Sequence, residues 1–309
     1  MSRRCLASST SLHCHRSVIL SRGRRILRFA GDRKIERLVI LSEAKDLAFL
    51  PPTASSVRLL LILCALLLPA TLLPAQTRTL RIAAAADLQP VLPAFVTNFE
   101  KSSGAKVEVS YASSATLATQ ILNGAPYDLF LAANLAFPQK VVDAGLTVEP
   151  SPVPYAQGSL VLWARHGVLP QSLTMQSLID PSVHRIAVAD PVHAPYGAAA
   201  MTAMQSLGLK TALQPKLVFA ENIAQAAQFG QSSNTDCALI SKTIAITPTM
   251  RQAGRFVPVP VNAYPPIRQG AVILRNAPDK QAAEDFLRYL QSPAGRNLLA
   301  SSGLEPPTQ

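Results

Sequence analysis

A chain of 309 residues, 49% hydrophobic and 15% charged, is too apolar to be disordered and long enough for one large domain or two modest ones. Its formal charge of +11 would suit a nucleic-acid partner, but the charge sits at the front. Residues 1–56 hold eleven Lys/Arg against four acids, whereas residues 76–309 hold seventeen against fourteen, so the body is nearly balanced and no nucleic-acid role is expected.

In chain order, residues 1–56 read as a basic leader without a core pattern, with "VILS" at Val18–Ser21 and again at Val39–Ser42. No Met occurs between Met1 and Met175, and a translation start near Val57 is expected. Residues 57–75 read as a signal peptide. Arg58 precedes the apolar run "LLLILCALLLPATLL" (Leu59–Leu73), which is short for a membrane span and ends in small residues, with cleavage expected after Ala75. Leu63 stands where lipidation of Cys64 would need a small residue. Export would leave Cys237 as the sole cysteine, with no intramolecular disulfide and no cysteine-based metal site, in the periplasm.

The body repeats one plan four times: an apolar strand, a small-residue loop, a helix start. A strand at Leu80–Ala85 leads to a helix from about Leu88, with Asp87 as its N-cap, Gly104 beyond its end, and a kink expected at Pro93. "KVEVSYASSATLATQILNG" is the second unit, stopped at Asn123-Gly124. The third helix opens at Pro195 or Tyr196 and ends at Gly208; the fourth has Asn222 as N-cap. Further strands are predicted at Tyr127–Ala132, Ser159–Ala164, Cys237–Ser241 and Gly270–Leu274, and two terminal helices are split at Ser292-Pro293. This alternation predicts an α/β protein with largely parallel sheets. Two lobes fit the strand count: residues 76–158 and 265–309 in lobe I and 159–264 in lobe II.

In open α/β sheets ligands bind at the carboxyl ends of strands. Helix N-termini there carry unpaired N–H groups and a partial positive charge, and hydroxyls add neutral donors. Four junctions qualify: Ala86-Asp87, Ser113-Ser114, Pro195-Tyr196 and Asn222-Ile223. If they face one crevice, they form a cage of neutral donors suited to a small, fully ionised oxyanion. Each serine serves equally as an ordinary helix cap, worth about 1 kcal/mol, and the residues leave both roles open. Catalytic signals are weaker. GxSxG, HExxH and a glycine-rich phosphate loop are absent, and only His193 with a nearby Ser would serve a hydrolase. A small organic ligand would want aromatics or an anchoring Arg, and aromatics make up 6% of the chain. Trp163 in "LVLWARHG" reads as core or interlobe packing.

"AAAADLQPVL", "SYASSATLATQILNGAPYDLFLAA", "GSLVLWARHG" and "DPVHAPYGAAA" together resemble the periplasmic molybdate-binding proteins of ABC transporters, over residues 78–309. The resemblance implies a two-lobed, type II periplasmic binding fold that closes on molybdate or tungstate. It implies no enzymatic activity and no cofactor, a monomer, and delivery of the ion to a membrane permease. Sulfate or phosphate receptors share the fold and stay open as alternatives. By position, Ser114 would supply hydroxyl and N–H with Ser113 beside it, and Tyr196 and Ile223 one backbone N–H each. A tyrosine that some relatives carry falls at Ser241. Ala86-Asp87 departs from the family's hydroxyl or amide there. A carboxylate 4 Å from a dianion would be repelled by about 4 kcal/mol per charge at an effective dielectric near 20, so Asp87 is expected to turn inward, cap its own helix, and leave Ala86 and Asp87 to offer N–H groups.

Overall fold

The computed structural model describes residues 79–169 and 172–307. The leader at 1–56 and the signal peptide at 57–75 lie outside the described residues. The described residues form one compact unit built on two five-stranded sheets.

The first sheet contains β1 (Thr79–Ala85), β2 (Lys106–Ala112), β3 (Leu129–Ala132), β4 (Val153–Gly158) and β10 (Ile267–Ile273), in the order β2-β1-β3-β10-β4. The second contains β5 (Leu160–Arg165), β6 (Ile186–Ala189), β7 (Leu217–Ala220), β8 (Cys237–Ser241) and β9 (Gly254–Pro258), in the order β7-β6-β8-β5-β9. The expected parallel cores are present, as β2-β1-β3 and β7-β6-β8. The strand entered after each interlobe crossing runs the other way, so each sheet is mixed: β10 pairs antiparallel with β3 and β4, and β5 with β8 and β9. The chain crosses between sheets at Ser159 and again between β9 and β10.

The helices follow the apolar stripes. In α1 (Leu92–Ser103), Leu92, Phe95 and Phe99 are buried on one face, and Gly104 ends the helix in the left-handed conformation at φ +70°. Phe99 meets Phe286 of α9 (Lys280–Gln291) edge-on at 5.1 Å between ring centroids. α10 (Pro293–Ser301) starts afresh after Ser292, whose hydroxyl caps Gly295. Between these lie α2 (Ser114–Leu122), α3 (Ala136–Asp143), α4 (Pro195–Ser206), α5 (Lys210–Leu213), α6 (Ile223–Gln231), α7 (Lys242–Ala245) and α8 (Pro248–Ala253). Trp163 is fully buried within the second lobe's core, its indole N–H donating to the Met250 carbonyl at 3.0 Å.

The first helix departs from expectation. It begins at Leu92, not Leu88, and residues Ala86–Leu88 make a separate 3-10 turn. Pro93 therefore stands in the first turn of α1, where its missing N–H costs nothing and no kink arises. The N-cap of the 3-10 turn is Ala85, so Asp87 caps no helix.

Candidate functional site

A pocket of about 200 Å³ lies where the carboxyl ends of β1, β2 and β3 face those of β6 and β7. One wall is Ala85, Ala86 and Asp87, then Ala112, Ser113, Ser114 and Ala133; the other is Ala194, Pro195, Tyr196, Asn222 and Ile223. All six residues singled out by sequence thus meet at one place. The run of alanines lets three loops approach closely, and among the described residues no Lys, Arg or His lines the pocket.

Three helix N-termini end on this space, α2, α4 and α6. At the first, the two serines divide their work. The Ser113 hydroxyl is the N-cap of α2: it accepts from the Thr116 N–H at 3.2 Å and shares a 2.7 Å bond with the Thr116 hydroxyl. The Ser114 oxygen, 1% exposed, accepts the Ala133 N–H at 3.0 Å, which leaves its own O–H as a donor. The Ala115 N–H reaches across the cleft to the His193 carbonyl at 3.1 Å. At the second N-terminus Pro195 removes one N–H, so Tyr196 offers the first available donor. At the third, Asn222 caps α6 by accepting from Gln225, leaving the N–H of Ile223 ahead of the capped turn.

Asp87 corrects the sequence reading. Its carboxylate turns inward, yet the partners are on distant segments and not in its own helix. Oδ2 accepts the Tyr196 hydroxyl at 3.1 Å and the Gln269 amide at 2.5 Å, while Oδ1 is buried without a hydrogen-bond partner. The Tyr155 hydroxyl donates to the Gln269 oxygen at 2.8 Å and so orients the amide. Thr243 donates to the Asp87 carbonyl at 2.7 Å and shares a 2.8 Å bond with Ser241. Asp87 is completely buried, and this burial pushes its carboxyl up to about 7 against the pull of hydrogen bonds from Gln269, Tyr196 and its own N–H. The phenols of Tyr196 and Tyr155 rise well above their usual range, first through burial and then through the nearby Asp87 charge, so both remain donors.

Gln269, Tyr155 and Thr243 escaped the sequence reading. Gln269 gave one signal, a polar residue inside the apolar strand "IRQGAVI", and a register shift at Gln269/Gly270 bends β10 beside it. Ser241 lies behind the pocket wall, bonded to Thr243. His193 is not a catalyst candidate: its imidazole is 54% exposed, outside the pocket, and 3.2 Å from Asp190. Among the described residues no group of three His, Cys, Asp or Glu could hold a metal ion.

Residues 80–305 match the model of the bacterial extracellular solute-binding proteins. The molybdate-binding protein ModA of Azotobacter vinelandii is 35% identical over 230 residues, covering 74% of this chain and 90% of the relative. That of Rhodobacter capsulatus is 33% identical over 205 residues, covering 66% and 79%. The solved structure of the Azotobacter vinelandii periplasmic molybdate-binding protein superposes with a TM-score of 0.69 at 29% identity, covering 74% of this chain and all of that one. The chain belongs to the bacterial extracellular solute-binding protein family, alongside the molybdate-binding proteins ModA.

Proposed function

We propose that this protein captures molybdate or tungstate outside the cytoplasm and delivers it to an ABC permease. One observation carries the reading: three helix N-termini and the Ser114 hydroxyl converge on a small pocket without a cationic side chain. Such a site attracts a fully ionised oxyanion through fixed N–H dipoles, and a charge-assisted hydrogen bond there is worth about 1.5–3 kcal/mol. No counter-charge has to be dismantled for release.

The names carried by its relatives support the choice of ion. The protein acts as a monomer without a cofactor, in the periplasm, exported by residues 57–75. N-terminal sequencing of the secreted protein tests the last point, and a mature chain retaining residues 1–56 would refute it. Titration calorimetry and thermal shift with molybdate, tungstate, sulfate and phosphate test the ligand. A ligand at about 100 times its Kd adds about 2.7 kcal/mol of stability. A shift with sulfate or phosphate alone would move the assignment to those ions, and no response to any of the four would overturn it.

A further inference from the structure

Asp87 is a carboxyl in the wall of a pocket read above as a receptor for a dianion, and the inference rests on that reading. Its two side-chain partners, Tyr196 and Gln269, are neutral donors, and both act on Oδ2. Oδ1 is buried and has no partner, which is the place where a carboxyl group can hold a proton without displacing a bond.

Among the described residues, no ion pair partners the Asp87 carboxyl. The titratable groups facing Asp87 are the phenols of Tyr196 and Tyr155. Helices α4 and α6 and strand β4 contain no charged residue. On α7 the stem of Lys242 runs against Gly303, whose Cβ position would lie 3.3 Å from its Cγ. On β2, Lys106 and Glu108 pair with each other toward the opposite end of the strand from Ala112, and Tyr111 stays a neutral phenol, its ionisation pushed up to about 12 by burial. On β10, Arg268 alternates to the face opposite Gln269. Asp190 and His193 pair on the exposed loop ahead of α4.

We propose that Asp87 is a proton-linked specificity residue: it carries a proton on Oδ1 whenever a dianion occupies the pocket, so that capture takes up a proton and release returns it. The balance is a simple one: the carboxylate gains H⁺ from solvent, the O–H bond forms at Oδ1, and the anion stays fully ionised. Burial already holds this carboxyl near neutrality, so the proton is available at physiological pH. Alkaline conditions then weaken capture, and acid conditions favour it.

Calorimetry with molybdate near pH 8, in two buffers of different ionisation enthalpy, reads the proton count directly. The expected uptake is about one proton per anion in the wild type, and about zero in Asp87→Asn, with Asp87→Ser as the second variant should the amide fold poorly. Wild-type affinity should fall about tenfold per pH unit above ~7, while both variants stay flat and bind about tenfold or more tightly than wild type near pH 8. Molybdate binding without proton uptake, or uptake that persists in both variants, would overturn the inference and leave the receptor reading standing. Absence of molybdate binding by the wild type would instead overturn that reading, and this inference with it.

Discussion

Gly158→Ala tests how the two lobes are held together. Gly158 ends β4 just before the chain crosses between sheets, and a methyl group there would lie 2.0 Å from the Tyr196 hydroxyl oxygen, 2.9 Å from its Cζ and 3.3 Å from the Gln269 amide nitrogen. Tyr196 is only 1% exposed, so its ring cannot swing into solvent. Accommodation requires α4 to back away, which breaks the 3.1 Å bond to Asp87 and displaces Tyr196 from the pocket wall. A buried hydrogen bond to a neutral carboxyl contributes about 0.5–1.5 kcal/mol, and overpacking costs about 1–3 kcal/mol. The sum, about 1.5–4.5 kcal/mol, falls mainly on the form with the lobes together, so molybdate affinity should drop by at least about tenfold. The decisive assay is a double-mutant cycle by calorimetry with Tyr196→Phe, which removes the clashing oxygen. Gly158→Ala should cost clearly less in the Phe background than alone. Additive losses, or an unchanged Kd in the single variant, would refute the reasoning.

Ser114→Ala removes a hydroxyl from the pocket and orphans the Ala133 N–H, so affinity should fall about tenfold to a hundredfold with about 1–3 kcal/mol lost in stability, read by calorimetry and urea melts. Ser113→Ala should cost about 1 kcal/mol of stability as a lost N-cap and change Kd by no more than about threefold. Asp87 also makes stability depend on pH. Its carboxyl sits at about 7 in the folded chain against 3.8 in the ordinary case, so between these values the native state binds more protons than the unfolded one and stability falls as pH rises. The full loss approaches about 4 kcal/mol across that window. Urea midpoints of wild type and Asp87→Asn, followed from about pH 4 to pH 8, should diverge with that sign, the variant lacking the decline.

Where the sequence spoke clearly, local chemistry did the speaking. Gly104, Asn222 and Ser292-Pro293 mark helix ends and starts because caps and left-handed turns need those residues whatever the tertiary setting. Strands β4 and β9 were missed because each carries a Pro and a Gly that read as turns. Gly254 instead opens a strand, since a Cβ there would lie 2.3 Å from the Trp163 ring. The six residues that line the pocket were singled out through helix-start geometry, which is local, and through the family resemblance. Asp87 was misread because its partners lie 109 and 182 residues along the chain. Nothing near "AAAADLQP" signals that a tyrosine and a glutamine from elsewhere will meet its carboxylate.

The two interlobe crossings leave the first sheet side by side, Gly158 being the register partner of Ile267 in the β4–β10 pair. The lobes are therefore joined by two neighbouring segments, a short one at Ser159 and a longer one over 259–266 that carries a 3-10 turn at Val261–Ala263. Contacts across the cleft include Tyr196 to Asp87, Thr243 to the Asp87 carbonyl and Ala115 to His193. Gln269 is two residues from Ile267, where the second segment enters the first sheet, so the Asp87 carboxyl is bonded to the strand that carries the chain back from the other lobe.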